Sequence, residues 1–180
     1  ISSFELLSDK YDRKELINIL LKDGAKRYSS FMAYFISKAL ADNGYVQDAF
    51  DNIIEYYGGM IKMGASTFWE NFDVEWMKNS CGIDRLPNEN ENDIHGDFGS
   101  HCYVGFRHSL CHAWSSGAVP FIIEYIVGLK FYGNRVSIKP NLCGLKKIDC
   151  LIPTVYGDIT VKINEKGVNV VLPKGLELLN

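Results

Sequence analysis

Two short segments carry the groups best suited to chemistry. Gly64-Ala65-Ser66-Thr67-Phe68-Trp69-Glu70 sets a carboxylate directly after a tryptophan. Ser109-Leu110-Cys111-His112-Ala113-Trp114-Ser115-Ser116-Gly117 sets an imidazole two residues before another. A carboxylate beside an indole suits sugar chemistry, because the ring stacks on a pyranose while the carboxylate moves a proton. On that reading Glu70 is a general base or nucleophile, and Trp69 and Trp114 offer a stacking surface. The same residues also fit plainer roles. Ser66 or Thr67 can cap a helix with Glu70 as its capping-box partner, and tryptophans are often core residues.

The four histidines, His95, His101, His108 and His112, fall within one short stretch. On a helix, the i, i+4 spacing of His108 and His112 would put two imidazoles on one face, as zinc sites require. The His-Glu-x-x-His form is absent, since Cys111 precedes His112. Asp93 and Asp97 could add ligands, but the spacing matches no standard site, and no metal or other cofactor is expected. The imidazoles equally fit a polar pocket wall or direct substrate contacts. Ser115 and Ser116 follow His112 without the Gly-x-Ser-x-Gly elbow of a nucleophilic serine.

The elements that must position these groups change character along the chain. Residues 1–130 read as helical, 131–180 as an antiparallel β domain, so the class is α+β. Asp12 can cap a helix through Leu16, Ile17, Leu20 and Leu21, ended by Gly24. Ser29 or Ser30 can cap a second through Phe31, Tyr34, Phe35, Ala39 and Leu40, ended at Asn43-Gly44. A third runs from Val46 to Tyr57 and is expected to break at Gly58-Gly59. Short Gly-containing links between helices are the pattern of helical hairpins.

Pro87 to Asn92 reads as an exposed loop, followed by the Gly- and His-rich stretch 93–103. Helical spacing resumes from Ser109 to Val127, with a kink or restart expected after Gly117 because of Pro120. Beyond Phe131 the period becomes two. Strands are expected at 136–140, 148–152 and 158–163, and Asn164-Glu165-Lys166-Gly167 turns into a last strand from Val168.

Composition narrows the classes further. The chain has 180 residues, is 47% hydrophobic and carries a net charge of −3, so no basic surface for nucleic acid or anionic membrane is expected. No apolar run approaches the ~20 residues of a membrane span. The first residue is Ile, without a visible signal segment, and the start reads as cut from a longer chain. Five cysteines with no Cys-x-x-Cys fit free thiols in a reducing cytoplasm, with a Cys143–Cys150 bridge as the alternative.

Taken together, these segments resemble the C-terminal part of a bacterial α-L-rhamnosidase of the glycoside hydrolase 78 type. Gly64 to Glu70 resembles the family's Gly-Ala-Thr-Thr-x-Trp-Glu segment. Ser109 to Gly117 resembles its Ser-Leu-x-His-x-Trp-Ser-Ser-Gly segment. Val155-Tyr156-Gly157-Asp158-Ile159 resembles the Pro-Tyr-Gly-x-Ile hairpin of its C-terminal β domain, and Phe31 to Gly59 the helical hairpin before the catalytic segment.

The resemblance implies the last helical pairs of an (α/α)6 six-hairpin barrel followed by a β-sandwich. It implies inverting hydrolysis of a terminal α-L-rhamnosyl unit, with Glu70 as general base and Trp69, His112 and Trp114 as substrate-binding residues. The family's acidic Asp-x-x-x-Arg-x-Glu segment, which supplies the general acid, precedes the base and is not in this chain. The spacing from Glu70 to His112 is also longer than in simple members. The chain by itself is therefore expected to be inactive, and its uncovered apolar helix faces to favour self-association. The rival readings are a non-catalytic carbohydrate-binding module and a His-rich metal-binding protein.

Overall fold

The computed structural model describes residues 3, 13–94, 96 and 109–179. Asp12, His95, Asp97, His101, Cys102 and His108 lie outside the described residues. The fold is α+β, and the chain divides into two compact units, Ile1–Val119 and Pro120–Asn180.

The first unit is built on α1 (Arg13–Leu21), α2 (Met32–Asp42) and α3 (Val46–Lys62). The apolar spacing read from the sequence is the buried face of each helix. Leu16, Ile17 and Leu20 are buried on α1, and Ala33, Ile36, Ala39 and Leu40 on α2. On α3 the buried set runs from Ala49 through Phe50, Ile53, Tyr56 and Tyr57 to Met60. Ser29 starts α2 as expected: its hydroxyl accepts from the Met32 amide at 3.3 Å, and its carbonyl from the Ala33 amide at 2.8 Å. Asn43 and Gly44 close α2 through amides donated to Leu40 and Ala41.

One expectation fails here. Helix α3 does not break at Gly58-Gly59 but runs on to Lys62. The reason is packing. A Cβ on Gly59 would stand 2.9 Å from Cε1 of Phe72, so the glycine lets a buried ring lie flush against the helix.

Behind α3 sits an aromatic cluster. Tyr56 meets Tyr57 edge-on at 5.3 Å between centroids and Phe72 at 5.4 Å, and Phe72 meets Trp69 at 5.9 Å. The buried tyrosine hydroxyls here are satisfied. Tyr56 donates to the Phe72 carbonyl at 2.6 Å, Tyr57 to the Ser115 carbonyl at 2.8 Å, and Tyr28 pairs with the Ser37 hydroxyl at 2.8 Å. Two-residue strands β1 (Ser80–Cys81) and β2 (Asn92–Asp93) pair in parallel at the base of the acidic loop. There Arg85 forks onto Glu91, with Nη1–Oε2 at 2.7 Å and Nη2–Oε1 at 2.5 Å.

The stretch after Ser109 is also less regular than its spacing suggests. A 3-10 turn spans Ala113–Ser115, and a short helix α4 (Ala118–Phe121) starts directly after Gly117. Pro120 thus occupies the first turn, where a missing N–H leaves no bond unmade. A π-helical turn, Ile122–Val127, completes the run and ends at Gly128.

The second unit contains two three-stranded sheets. Strands β5 (Ile148–Thr154), β6 (Gly157–Asn164) and β7 (Gly167–Val171) form one antiparallel meander. Its second turn, at 165–166, falls where the sequence pattern places it, and its first lies at 155–156. Strands β3 (Leu129–Tyr132) and β4 (Arg135–Ile138) form a hairpin, and β8 (Glu177–Leu178) joins β4 in parallel. The expected all-antiparallel pattern is corrected by that last pair. Ile159, Val161 and Ile163 alternate inward on β6 and pack with Val127, Leu129, Val136, Ile152 and Leu176 as one core. Cys150 is a free thiol, so it forms no bridge to Cys143.

Candidate functional site

Glu70 is not on a helix. Residues 65–73 are irregular, and the loop is held by main-chain bonds to the 109–112 segment. The Glu70 amide donates to the Ser109 carbonyl at 2.8 Å, and the His112 amide donates to the Phe68 carbonyl at 2.8 Å. The Thr67 hydroxyl donates to the Leu110 carbonyl. The capping-box reading therefore fails: the two segments singled out in the sequence cap no helix but are laced to each other. His112 has extended backbone, φ −130° and ψ 116°, so it lies on no helical face of the kind the His108–His112 zinc reading needs.

The lacing brings the ionisable groups together. Glu70 Oε2 accepts from the Ser109 amide at 2.8 Å and lies 3.9 Å from Nδ1 of His112. The carboxylate is 15% exposed and the imidazole 33%. One Glu70 oxygen is thus fixed, and among the described residues Oε1 has no hydrogen-bond partner.

The Glu70 carbonyl is a second anchor. It accepts from Nε1 of Trp114 at 3.0 Å and from the hydroxyl of Ser30, at the start of α2. A carbonyl oxygen has two lone pairs, and both are used. Trp114 is thereby pinned beside Glu70 with its ring 50% exposed, and His112 lies against it at 4.3 Å between centroids.

The turn carrying Trp114 is supported from behind. Tyr57 holds the Ser115 carbonyl. Gly117 meets α2 so closely that a Cβ there would fall 2.5 Å from Cβ of Tyr34, a separation no side chain tolerates.

Trp69 behaves differently from Trp114. It is 1% exposed and packs on Phe72, so it presents no face for a sugar to stack on in this structure. Sequence reasoning treated the two tryptophans alike and missed Ser30, Ser109 and Tyr57. Only Ser30 carried a signal, as a candidate helix cap. A cavity of about 230 Å³ opens nearby, lined by Tyr57, Met60, Ile61, Ala65, Ser66, Thr67 and Phe68. It carries no carboxylate or imidazole and lies behind Phe68 rather than at Glu70.

Among the described residues no group of three or more His, Cys, Asp or Glu is placed to hold a metal ion. Nor is any described helix long and apolar enough to cross a membrane.

No protein-family profile matches the chain, and no curated protein does. Among solved structures, the chain is similar to the GH78 family rhamnosidase of Bacillus sp. GL1, with 22% identity and a TM-score of 0.62. The match covers 98% of this chain and 19% of that one, so the chain spans about a fifth of the length of the structure it resembles and shares the fold of that part.

Proposed function

We propose that this chain is the C-terminal part of an inverting α-L-rhamnosidase-like glycoside hydrolase, contributing the end of an (α/α)6 barrel and a C-terminal β-sandwich. Glu70 is its general base, and His112 and Trp114 contact the sugar. The observation that carries this reading is the anchored Glu70 carboxylate: one oxygen held by the Ser109 amide, with an imidazole and a half-exposed indole beside it. The likeness in fold to a rhamnosidase supports it.

In inverting hydrolysis a water attacks the anomeric carbon as the glycosidic C–O bond breaks. The base takes the water's proton, and an acid on the opposite face gives one to the leaving oxygen. The two carboxyl groups stand ~6.5–9.5 Å apart to admit that water. An oxygen fixed by a backbone amide suits the base, because the bond holds the carboxylate in place while the second oxygen receives the proton.

The acid-bearing segment of the family is not in this sequence. A base alone does not protonate a poor leaving group, so the chain by itself binds sugar without turning it over. The test is an aryl α-L-rhamnoside assay of the purified chain beside an L-rhamnose binding titration. Binding without turnover is the expected result. Turnover overturns the missing acid, and no binding by the wild-type chain overturns the sugar site.

A further inference from the structure

Among the described residues the sheets of the second unit have four edge strands, β3, β5, β7 and β8, and these differ in how they are guarded. Sheets protect an edge with a charge, a proline or a very short strand, because an open edge pairs with any strand that meets it. Strand β3 carries Lys130, and β8 is two residues long with Glu177 as one of them. Strand β5 carries Asp149, and its Pro153 stands where the free edge would otherwise show an N–H. Strand β7, Gly167-Val168-Asn169-Val170-Val171, has no charge and no proline.

Pairing with β6 fixes which groups that edge shows. Asn164 and Gly167 flank a two-residue turn and bond to each other, and bonded positions alternate from there. Asn169 and Val171 therefore bond to β6, while the N–H and C=O of Val168 and Val170 point away from it. Among the described residues no main-chain bond outside the sheet reaches either valine. The strand is also apolar and wet: Val168 is 48% exposed and Val171 60%.

We propose that β7 is a dimerisation edge, on which a second copy of this chain pairs antiparallel with Asn169 opposite the partner's Asn169. In that register the free groups of Val168 meet those of the partner's Val170, and the two side chains form a β-branched cross-strand pair. Lys166 faces the partner's Leu172. Exposed Glu165, just before β7, falls beside the partner's Lys174, shortly after it. The strand thus meets itself with no like charges directly opposed and with opposite charges at both ends. This puts self-association on a sheet edge and not on the helix faces, and it is independent of the sugar-site reading.

The experiment follows the mass of the purified chain by sedimentation from about 5 to 500 µM, where a short edge is expected to give a dimer with Kd of about 10–100 µM. Asn169→Lys and Asn169→Asp each set like charges opposite one another and are expected to weaken dimerisation about tenfold or more. An equal mixture of the two variants is expected to restore it, which misfolding of either would not allow. Hydrogen exchange at the Val168 and Val170 amides is expected to slow as concentration rises. The proposal is overturned by a chain that stays monomeric across the range, by a dimer that Asn169→Lys leaves intact, by a mixture that stays monomeric, or by Val168 and Val170 amides that exchange equally fast throughout. None of these outcomes touches the Glu70 site.

Discussion

Oε2 of Glu70 lies 3.9 Å from Nδ1 of His112, although 42 positions separate the two residues along the chain. The distance is too long for a direct hydrogen bond. The two groups do not bond to one another. They are brought together by backbone, through the bonds Glu70–Ser109 and His112–Phe68. Their approach thus survives removal of either side chain, which makes each separately testable.

Glu70→Gln keeps the shape of the side chain and removes its basicity. In a full-length enzyme containing this chain, kcat is expected to fall by about 10²–10⁴-fold, the usual worth of general base catalysis. Thermal unfolding should be little changed. Activity like that of wild type would take Glu70 out of the mechanism.

His112→Ala should weaken L-rhamnose binding to the isolated chain while its circular dichroism spectrum stays the same, because the His112 amide and not its ring laces the loop. Calorimetric titration measures this. Unchanged affinity would remove the imidazole from the sugar site.

The adjacent glycines of α3 should respond in opposite directions to alanine. A Cβ on Gly58 meets nothing within 4 Å, so Gly58→Ala gains helix propensity and should stabilise by about 0.5–1 kcal/mol. A Cβ on Gly59 meets the Phe72 ring at 2.9 Å and 3.0 Å. That ring is fully buried against Tyr56 and Trp69 and has no room to retreat. The overpacking cost of ~1–3 kcal/mol outweighs the propensity gain, and Gly59→Ala should destabilise. Urea denaturation of the two variants gives the sign directly.

Tyr57→Phe removes the bond to the Ser115 carbonyl and leaves that acceptor buried without its donor. A loss of about 1–2 kcal/mol is expected in denaturant unfolding. The turn that carries Trp114 should loosen as well, seen as increased quenching of tryptophan fluorescence by iodide.

Alkaline pH should unfold the chain through its buried tyrosines. Burial holds the Tyr28 hydroxyl up at about 12, and raises Tyr56 and Tyr57 also, against an ordinary value of 10.0. In each case desolvation of the phenolate is the leading cause. The raised acid keeps its proton in the folded state after the unfolded chain has lost it. Its contribution to stability is full below pH 10 and, for Tyr28, is lost as pH rises through about 12. Urea midpoints that stay flat from pH 10 to 12 would contradict this assignment.

Much of the framework was legible in the sequence because it is a matter of period. The 3.6-residue spacing on α1, α2 and α3 is the spacing of their buried faces, and the alternation of Ile159, Val161 and Ile163 is the inward face of β6. What misled was the local meaning of glycine. Gly58-Gly59 has the composition of a helix stop, but Gly59 answers to Phe72, a contact across 13 positions that no local window contains. The stretch from Ser109 to His112 shows the same limit. Its apolar spacing suits a helix, yet its backbone bonds go to residues 68–70, and an extended segment was the way to make them.

The candidate site divides along the same line. The sequence determined by itself which groups were available: one carboxylate and one imidazole, each beside an indole, in two segments resembling those of one enzyme family. Only the tertiary structure decided that the segments bind each other and cap no helix, and that Trp114 faces outward while Trp69 is buried. The physical reason is that residue type follows from the sequence alone. Exposure and approach depend on which distant backbone groups satisfy one another, and here the Glu70 carbonyl, shared by Ser30 and Trp114, settles the arrangement.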